Sequence, residues 1–267
     1  TNFTPENNAT DVAINSNIEL TFSEQVNVKS GNIYIKKSFD DSLAESIDLT
    51  SNQVTGSGTN VLTINPRNNY ASNTNYYVQI DVSGLDDISG NSFAGINDKT
   101  SLTFTSEDVV APVLKVSTPD NNDTQTAINS NIELTFSEAV DIESGNIYIK
   151  KSSDDSLVES IDVTSNQVTG SGTNVITINP TNDFESTTQY YVQIDSSAFD
   201  DSSGNSFSGI NDKTSLSFTT KDVQEPILTN FTPENNATDV AINSNIELTF
   251  SEQVNVKSGN IYIKKSF

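Results

Sequence analysis

The chain repeats itself without slippage, and this repeat limits its possible folds more than any other feature. Residues 1–114 align with residues 115–228 at a constant offset of 114 positions, without an insertion and with 82 identical positions. Residues 229–267 then repeat residues 1–39 letter for letter, so exact identity returns with a period of 228. Such a pattern predicts a tandem array of small domains of two alternating types. We expect the chain to be an interior slice of a longer array.

Short runs of alternating apolar and polar residues fill each repeat, which is typical of strands with one buried face. In residues 17–22, for example, Ile18, Leu20 and Phe22 share one face. The predicted strands are A (near Phe3 and 12–14), B (17–24), C (31–37), D (45–50), E (60–65), F (75–82) and G (100–106). No stretch has the 3.6-residue period of a helix. About seven antiparallel strands in about 105 residues predict an all-β fold of tandem immunoglobulin-like sandwiches, arranged in an elongated array.

The repeat boundaries divide the chain into three predicted units. Residues 1–110 and 111–224 would be complete domains, and residues 225–267 would be the N-terminal part of a third, with strands A to C. In this third unit Ile246, Leu248 and Phe250 would lack the partner strands that bury their counterparts in a full repeat. Either the unit is cut from the array or another chain completes it.

Composition excludes several classes of function. The formal net charge is −23, from 36 acidic and 13 basic residues, whereas a nucleic-acid partner requires a basic face. The absence of His and Cys removes the usual general base, the commonest transition-metal ligand and any disulfide. No apolar run reaches membrane-spanning length, so we expect no membrane insertion in this segment. We also expect no enzyme, because the paired Asp86 and Asp87 are adjacent in a turn and lack an aromatic groove.

Oxygen ligands are concentrated in one acidic loop, which occurs once in each full repeat. Residues 81–91 and 195–205 each gather three carboxylates, an Asn and a Gly after a tyrosine-bearing strand. Calcium accepts about six to eight oxygen ligands in flexible geometry, and this loop supplies such ligands. The spacing does not match an EF-hand, because the Asp-x-Asp-x-Asp-Gly order and the closing Glu are missing.

Several motifs occur in a fixed order and carry a resemblance to a known family. They are Thr4-Pro5-Glu6-Asn7-Asn8-Ala9-Thr10-Asp11-Val12, Ile18-Glu19-Leu20-Thr21-Phe22-Ser23-Glu24, Tyr76-Tyr77-Val78, Asp87-Ile88-Ser89-Gly90-Asn91 and Leu102-Thr103-Phe104-Thr105. In both full repeats this order resembles the bacterial Ig-like domains of large extracellular adhesins. The resemblance implies a repeated sandwich without catalysis at the bacterial cell surface, often in proteins that attach cells to surfaces or to each other.

In an Ig-like sandwich the B–C and F–G loops lie at the N-terminal end, where the last strand of the preceding domain arrives. We therefore expect calcium at the joints between repeats. The predicted ligands are Asp108, Glu138, Asp200 and Asp201, with Asn205, at the first joint; Asp222 and Glu252 at the second; and Glu24, Asp86, Asp87 and Asn91 as the equivalents in the first repeat. Two alternatives remain open: these residues are ordinary turn formers, or the acidic surface reflects salt adaptation.

The predicted function is a structural extracellular stalk of a repetitive adhesin or surface filament, with calcium stiffening its joints. Its first partners would be the neighbouring repeats of the same chain. One alternative is a module that binds glycans or proteins through Tyr34, Tyr77, Tyr148 and Tyr191, which we expect on outward faces of the strands. The other is a self-assembling fibre subunit, whose incomplete third repeat is completed by another copy.

Overall fold

The computed structural model describes residues 2–265, and these residues form strands and no helix. The strands of the first repeat are β1 (Asn2–Thr4), β2 (Ala9–Val12), β3 (Ile18–Val28), β4 (Asn32–Lys37), β5 (Leu43–Asp48), β6 (Val54–Thr55), β7 (Thr59–Ile64), β8 (Asn75–Ile80), β9 (Leu85–Asp87) and β10 (Thr103–Ser106). The all-β prediction is confirmed. Within the described range there is accordingly no helix long and apolar enough to cross a membrane.

The second repeat has the same strands in the same order. They are β11 (Leu114–Thr118), β12 (Asp123–Thr126), β13 (Ile132–Ile142), β14 (Asn146–Lys151), β15 (Leu157–Asp162), β16 (Val168–Thr169), β17 (Thr173–Ile178), β18 (Gln189–Ile194), β19 (Phe199–Asp200) and β20 (Ser217–Thr220). Two further strands, β21 (Leu228–Thr232) and β22 (Glu247–Phe250), lie in the third unit.

Each full repeat consists of two sheets with a core between them. In the first repeat one sheet has the order β1-β3-β7-β6, with β9 paired to β3, and the other has the order β2-β10-β8-β4-β5. The second repeat has the same topology. Neighbouring strands are antiparallel except for the parallel pairs β2–β10 and β12–β20. This arrangement is the immunoglobulin-like sandwich that the alternating pattern predicts.

Two details of the strand order differ from the expectation. The first predicted strand is divided into β1, which pairs with β3, and β2, which pairs with β10. The interruption includes Pro5, which has no N–H to donate to a ladder. The segment predicted at 45–50 is β5, and it forms a hairpin with β4 in the sheet that also contains β8.

The core of each repeat is built from residues at every second position. Ile18 and Leu20 of β3 are fully buried against Ile33 of β4 and Phe104 of β10, so side chains from both sheets meet. Tyr76 adds a polar anchor to this core, because its hydroxyl accepts a hydrogen bond of 2.9 Å from the backbone N–H of Ala71. A Tyr hydroxyl bonded to backbone a few residues upstream fixes the corner between two strands.

The third unit folds less completely than the repeat that it copies. β21 and β22 pair with each other, but Ile246 is 53% exposed and Leu248 is 44% exposed. Of the predicted strands A to C, the third does not form: within the described part, residues 251–265 contain no strand. The identical sequence forms β4 in the first repeat, where β5 and β8 hydrogen-bond to its two edges.

The acidic loop is fixed to the end of a long strand rather than free in solvent. In the second repeat Phe199 and Asp200 of β19 pair with Ile142 and Asp141 at the end of β13. The loop is closed by Gly209 (φ of 74°), where a Cβ would lie 2.5 Å from the carbonyl oxygen of Ile194. The backbone pairing of β19 with β13 therefore determines the positions of Asp200 and of Asp201, which follows β19.

Candidate metal centre at the repeat junction

Three carboxylates from separate parts of the chain meet where the first repeat joins the second. Oxygen atoms of Asp108, Glu138 and Asp201 all lie within 4.8 Å of one another. Asp108 belongs to the linker after β10, Glu138 to an irregular part of β13, and Asp201 to the turn after β19. The cluster therefore requires both repeats.

The turn around Asp201 holds its carboxylate in place. Oδ1 accepts hydrogen bonds of 2.8 Å from the backbone N–H groups of Ser203 and Asn205, and Oδ2 accepts one of 2.8 Å from the Asn205 side-chain amide. The same amide nitrogen donates to the carbonyl oxygen of Asp108 at 3.1 Å. Asn205 thus joins the two repeats through its nitrogen, whereas we expected it to contribute its oxygen to a metal. Asp201 is only 5% exposed.

Asp108 is held by residues of the first repeat that the sequence analysis missed. Ser72 Oγ donates to Asp108 Oδ1 at 2.7 Å, Asn73 Nδ2 donates to Oδ2 at 3.3 Å, and the Val110 N–H donates to Oδ1 at 3.0 Å. These donors, led by Ser72, hold the pKa of Asp108 below its usual value. The sequence held a signal, because Ser72 and Asp108 both recur 114 positions later as Ser186 and Asp222. In the structure Ser186 Oγ likewise donates to Asp222 Oδ1.

Glu138 has few compensating contacts. Within the described residues its side chain accepts one hydrogen bond, from Ser137 Oγ at 3.5 Å, which is too long to be strong. Burial, followed by the negative charges of Asp108 and Asp201, raises the pKa of Glu138. The ionised carboxylate is therefore unfavourable at this position unless a cation offsets its neighbours.

Asp200 lies outside this cluster, contrary to the expectation. The backbone of Asp200 pairs with that of Asp141. Side chains of adjacent residues in extended backbone point to opposite sides, so the Asp201 side chain faces the junction and the Asp200 side chain does not. Asp200 Oδ1 is buried and has no hydrogen-bond partner within residues 2–265. In the first repeat the equivalent Asp86 has its Oδ2 3.3 Å from Lys29 Nζ, and Glu143 occupies that lysine's position in the second repeat.

The four predicted residues of the first repeat are gathered at its N-terminal end. Glu24, Asp86, Asp87 and Asn91 line one open cavity of about 210 Å³. Asp87 accepts hydrogen bonds from the backbone N–H groups of Ser89 and Asn91 at 2.8 Å and from Asn91 Nδ2 at 2.6 Å. These bonds, with the Asn91 side chain first, lower the pKa of Asp87. The turn therefore takes the same form as the turn around Asp201 in the second repeat.

The two residues predicted at the second joint do not come together with other acids. Asp222 Oδ1 accepts hydrogen bonds from Ser186 Oγ at 3.2 Å and from the Gln224 N–H at 2.9 Å. Glu252 follows β22 in the third unit. Across residues 2–265, Asp108, Glu138 and Asp201 are the only set of three or more acidic side chains with oxygen atoms within 4.8 Å of one another.

The chemistry of the triad suits a hard divalent cation. At an effective dielectric constant near 20, two unit charges at about 4.8 Å repel each other by on the order of 3 kcal/mol. A bound divalent cation would add three attractions, at shorter distances, that outweigh the three repulsions. Carboxylate and carbonyl oxygens from several loops are the ligands that calcium accepts.

Comparison with known families gives one match that extends over the chain. The model of the family described as "Bacterial Ig-like domain" matches residues 1–106, 108–220 and 222–266. No curated protein matches the chain.

Solved structures with distant similarity include three multidomain proteins. The I-band fragment I67-I69 from titin is 11% identical, with 84% of this chain and 66% of that chain covered and a TM-score of 0.34. The BSP domain of a biofilm associated protein is 11% identical, with 81% and 29% covered and a TM-score of 0.22. The fibronectin(III)-like modules of Clostridium thermocellum CbhA are 14% identical, with 83% and 95% covered and a TM-score of 0.23. The chain spans less than two thirds of the first two of these structures.

Proposed function

Because this chain belongs to the bacterial Ig-like domain family, whose model matches all three of its repeats, we propose that it is a section of an extracellular stalk. In this role the repeats are structural modules in series that hold other parts of a surface protein away from the cell. The exact identity of residues 229–267 with residues 1–39 supports the proposal, because a stalk requires length and a regular joint. The high net negative charge keeps neighbouring stalks apart and soluble.

We further propose that calcium binds at the joint and restrains the two repeats relative to each other. The observation that carries this proposal is the meeting of Asp108, Glu138 and Asp201 across the junction. One ion held by all three would connect the linker of the first repeat to β13 and to the turn after β19 of the second. Asn205 already joins the same two parts through hydrogen bonds to Asp108 and Asp201. The cation would therefore strengthen a contact between the two repeats that the Asn205 hydrogen bonds already form.

The affinity expected of such a site is modest. Calcium sites of extracellular modules have dissociation constants of roughly 0.1–1 mM. A site of this strength would be occupied outside the cell, where calcium is abundant, and empty at the lower concentrations of the cytoplasm. Stiffening would then follow export.

Isothermal titration calorimetry of the full chain tests calcium binding directly. We expect a site with a dissociation constant for calcium of roughly 0.1–1 mM. Glu138→Gln should raise this constant by at least about tenfold, because it removes one of three negative charges. Glu143→Gln is the matched control: Glu143 is exposed, lies five residues away and is not part of the triad. Equal calcium affinity in the wild type and Glu138→Gln would disprove the assignment of the site.

A further inference from the structure

A second polar cavity lies on the second repeat, on the outer face of the sheet that contains β14 and β18. It is open, has a volume of about 330 Å³, and is lined in part by Tyr148, Gln193, Asp195, Ser196, Ser208 and Asn211. Tyr148 alternates along β14 with the fully buried Ile147 and Ile149, so its ring faces away from the core. The calcium triad uses none of these residues.

The polar groups around the Tyr148 ring are held by hydrogen bonds. Asp195 Oδ2 accepts a bond of 2.8 Å from the Asn146 N–H and lies 3.5 Å from the Tyr148 hydroxyl. Gln193 accepts a bond from Lys150 Nζ at 2.8 Å and donates to the Asn211 carbonyl at 2.7 Å. The polar side chains that line the cavity are therefore ordered before any ligand arrives, which lowers the entropic cost of binding.

Charge around the ring favours a neutral ligand. Lys150 Nζ lies 5.7 Å from the Tyr148 ring centroid, and the Asp195 carboxylate is next to the hydroxyl of the same ring. These two charges offset each other locally. An anionic ligand would also be repelled by a chain whose net charge is −23.

We propose that this cavity binds one unit of a neutral saccharide, which would give the stalk an adhesive function beyond its structural one. Lys150 Nζ lies over one face of the Tyr148 ring, so a sugar would place its C–H groups against the part of the ring that lines the cavity. The hydroxyls of Ser196 and Ser208 offer partners for its O–H groups. Within the described residues, neither Ser hydroxyl hydrogen-bonds to another group of the protein, so both are available. The carboxylate of Asp195 can accept from a further sugar hydroxyl, because hydrogen bonds to charged acceptors are the strong ones.

The first repeat provides a natural comparison for this cavity. At the positions of Tyr148, Gln193 and Asp195 it has the same residue types, namely Tyr34, Gln79 and Asp81. At the positions of Ser196 and Ser208 it has Val82 and Ala94. Val82 is 61% exposed, so an apolar side chain is accommodated there. The first repeat therefore has the tyrosine ring without the two serine hydroxyls, and we expect it not to bind the sugar.

An array of immobilised glycans, probed with the full chain, tests this proposal. The immobilised neutral glycans are oligosaccharides that end in mannose, galactose, N-acetylglucosamine or N-acetylgalactosamine. Sialylated and sulfated glycans form the anionic set. We expect the chain to bind at least one neutral glycan. Tyr148→Ala, and separately the double substitution Ser196→Val with Ser208→Ala, should weaken that binding by at least about tenfold.

The double substitution installs residues that the first repeat already carries, so it should not prevent folding, and a melting curve checks this for both variants. Tyr34→Ala in the first repeat is the matched control and should leave glycan binding unchanged. The proposal is overturned if no neutral glycan is bound, if only anionic glycans are bound, or if Tyr34→Ala weakens binding as much as Tyr148→Ala.

Discussion

Replacing Phe218 with alanine is expected to lower the free energy of unfolding of the second repeat by about 3–5 kcal/mol. The side chain of Phe218 is fully buried, and its ring centroid lies 5.1 Å from that of Phe184 and 5.7 Å from that of Tyr190. The substitution removes the apolar surface of the ring and leaves a cavity between the two sheets. Differential scanning calorimetry of the full chain should show this loss in the transition of the second repeat.

The same substitution at Phe39 is the control. Phe39 is 98% exposed in the turn between β4 and β5, so Phe39→Ala should change the free energy of unfolding by no more than about 0.5 kcal/mol. A loss of less than about 1 kcal/mol at Phe218 would contradict the placement of this ring between the two sheets.

Calcium is expected to raise the stability of the second repeat, because two of the three carboxylates lie within it. At a concentration of about 100 times the dissociation constant, binding should add about 2.7 kcal/mol to its free energy of unfolding. Glu138→Gln should abolish most of this gain. In calorimetry, the wild type should therefore melt at a higher temperature with calcium than with a chelator, and the variant should melt at nearly the same temperature in both.

The order of stabilities should reverse when calcium is removed. With a chelator, Glu138→Gln should be more stable than the wild type at neutral pH, because it removes a carboxylate whose pKa is raised by burial and by Asp108 and Asp201. A raised pKa in the folded state means that the ionised form of Glu138 opposes folding. The difference between the two proteins should therefore shrink as the pH falls and Glu138 becomes protonated. A wild type that remains more stable than the variant in chelator at neutral pH would contradict this account.

Much of the sandwich could be predicted from local patterns because each strand has one buried face. Ile18, Leu20 and Phe22 alternate in sequence and all lie in the core. The segment 32–37 marks the limit of such patterns, since the same sequence forms β4 in the first repeat and no strand at 260–265. Pairing with neighbours along both edges, rather than propensity, decides whether this segment is a strand.

At the junction, the proximity of three predicted residues could also be expected from the sequence, whereas metal binding by them stays a prediction. Sandwich topology places the end of one repeat beside two loops of the next, and this reasoning led to Asp108, Glu138 and Asp201 together. It could not separate Asp200 from Asp201, because the direction of each side chain depends on the register of β19 with β13. It also missed Ser72, whose contact with Asp108 depends on the exact fold of the loop before β8.

Small-angle X-ray scattering of the full chain, with calcium and with a chelator, tests the central claim most directly. If calcium restrains the joint, the wild type should show a larger and more sharply defined maximum dimension with calcium, and Glu138→Gln should give the same profile in both conditions. Identical profiles of the wild type with calcium and with chelator would contradict the claim that calcium restrains the joint.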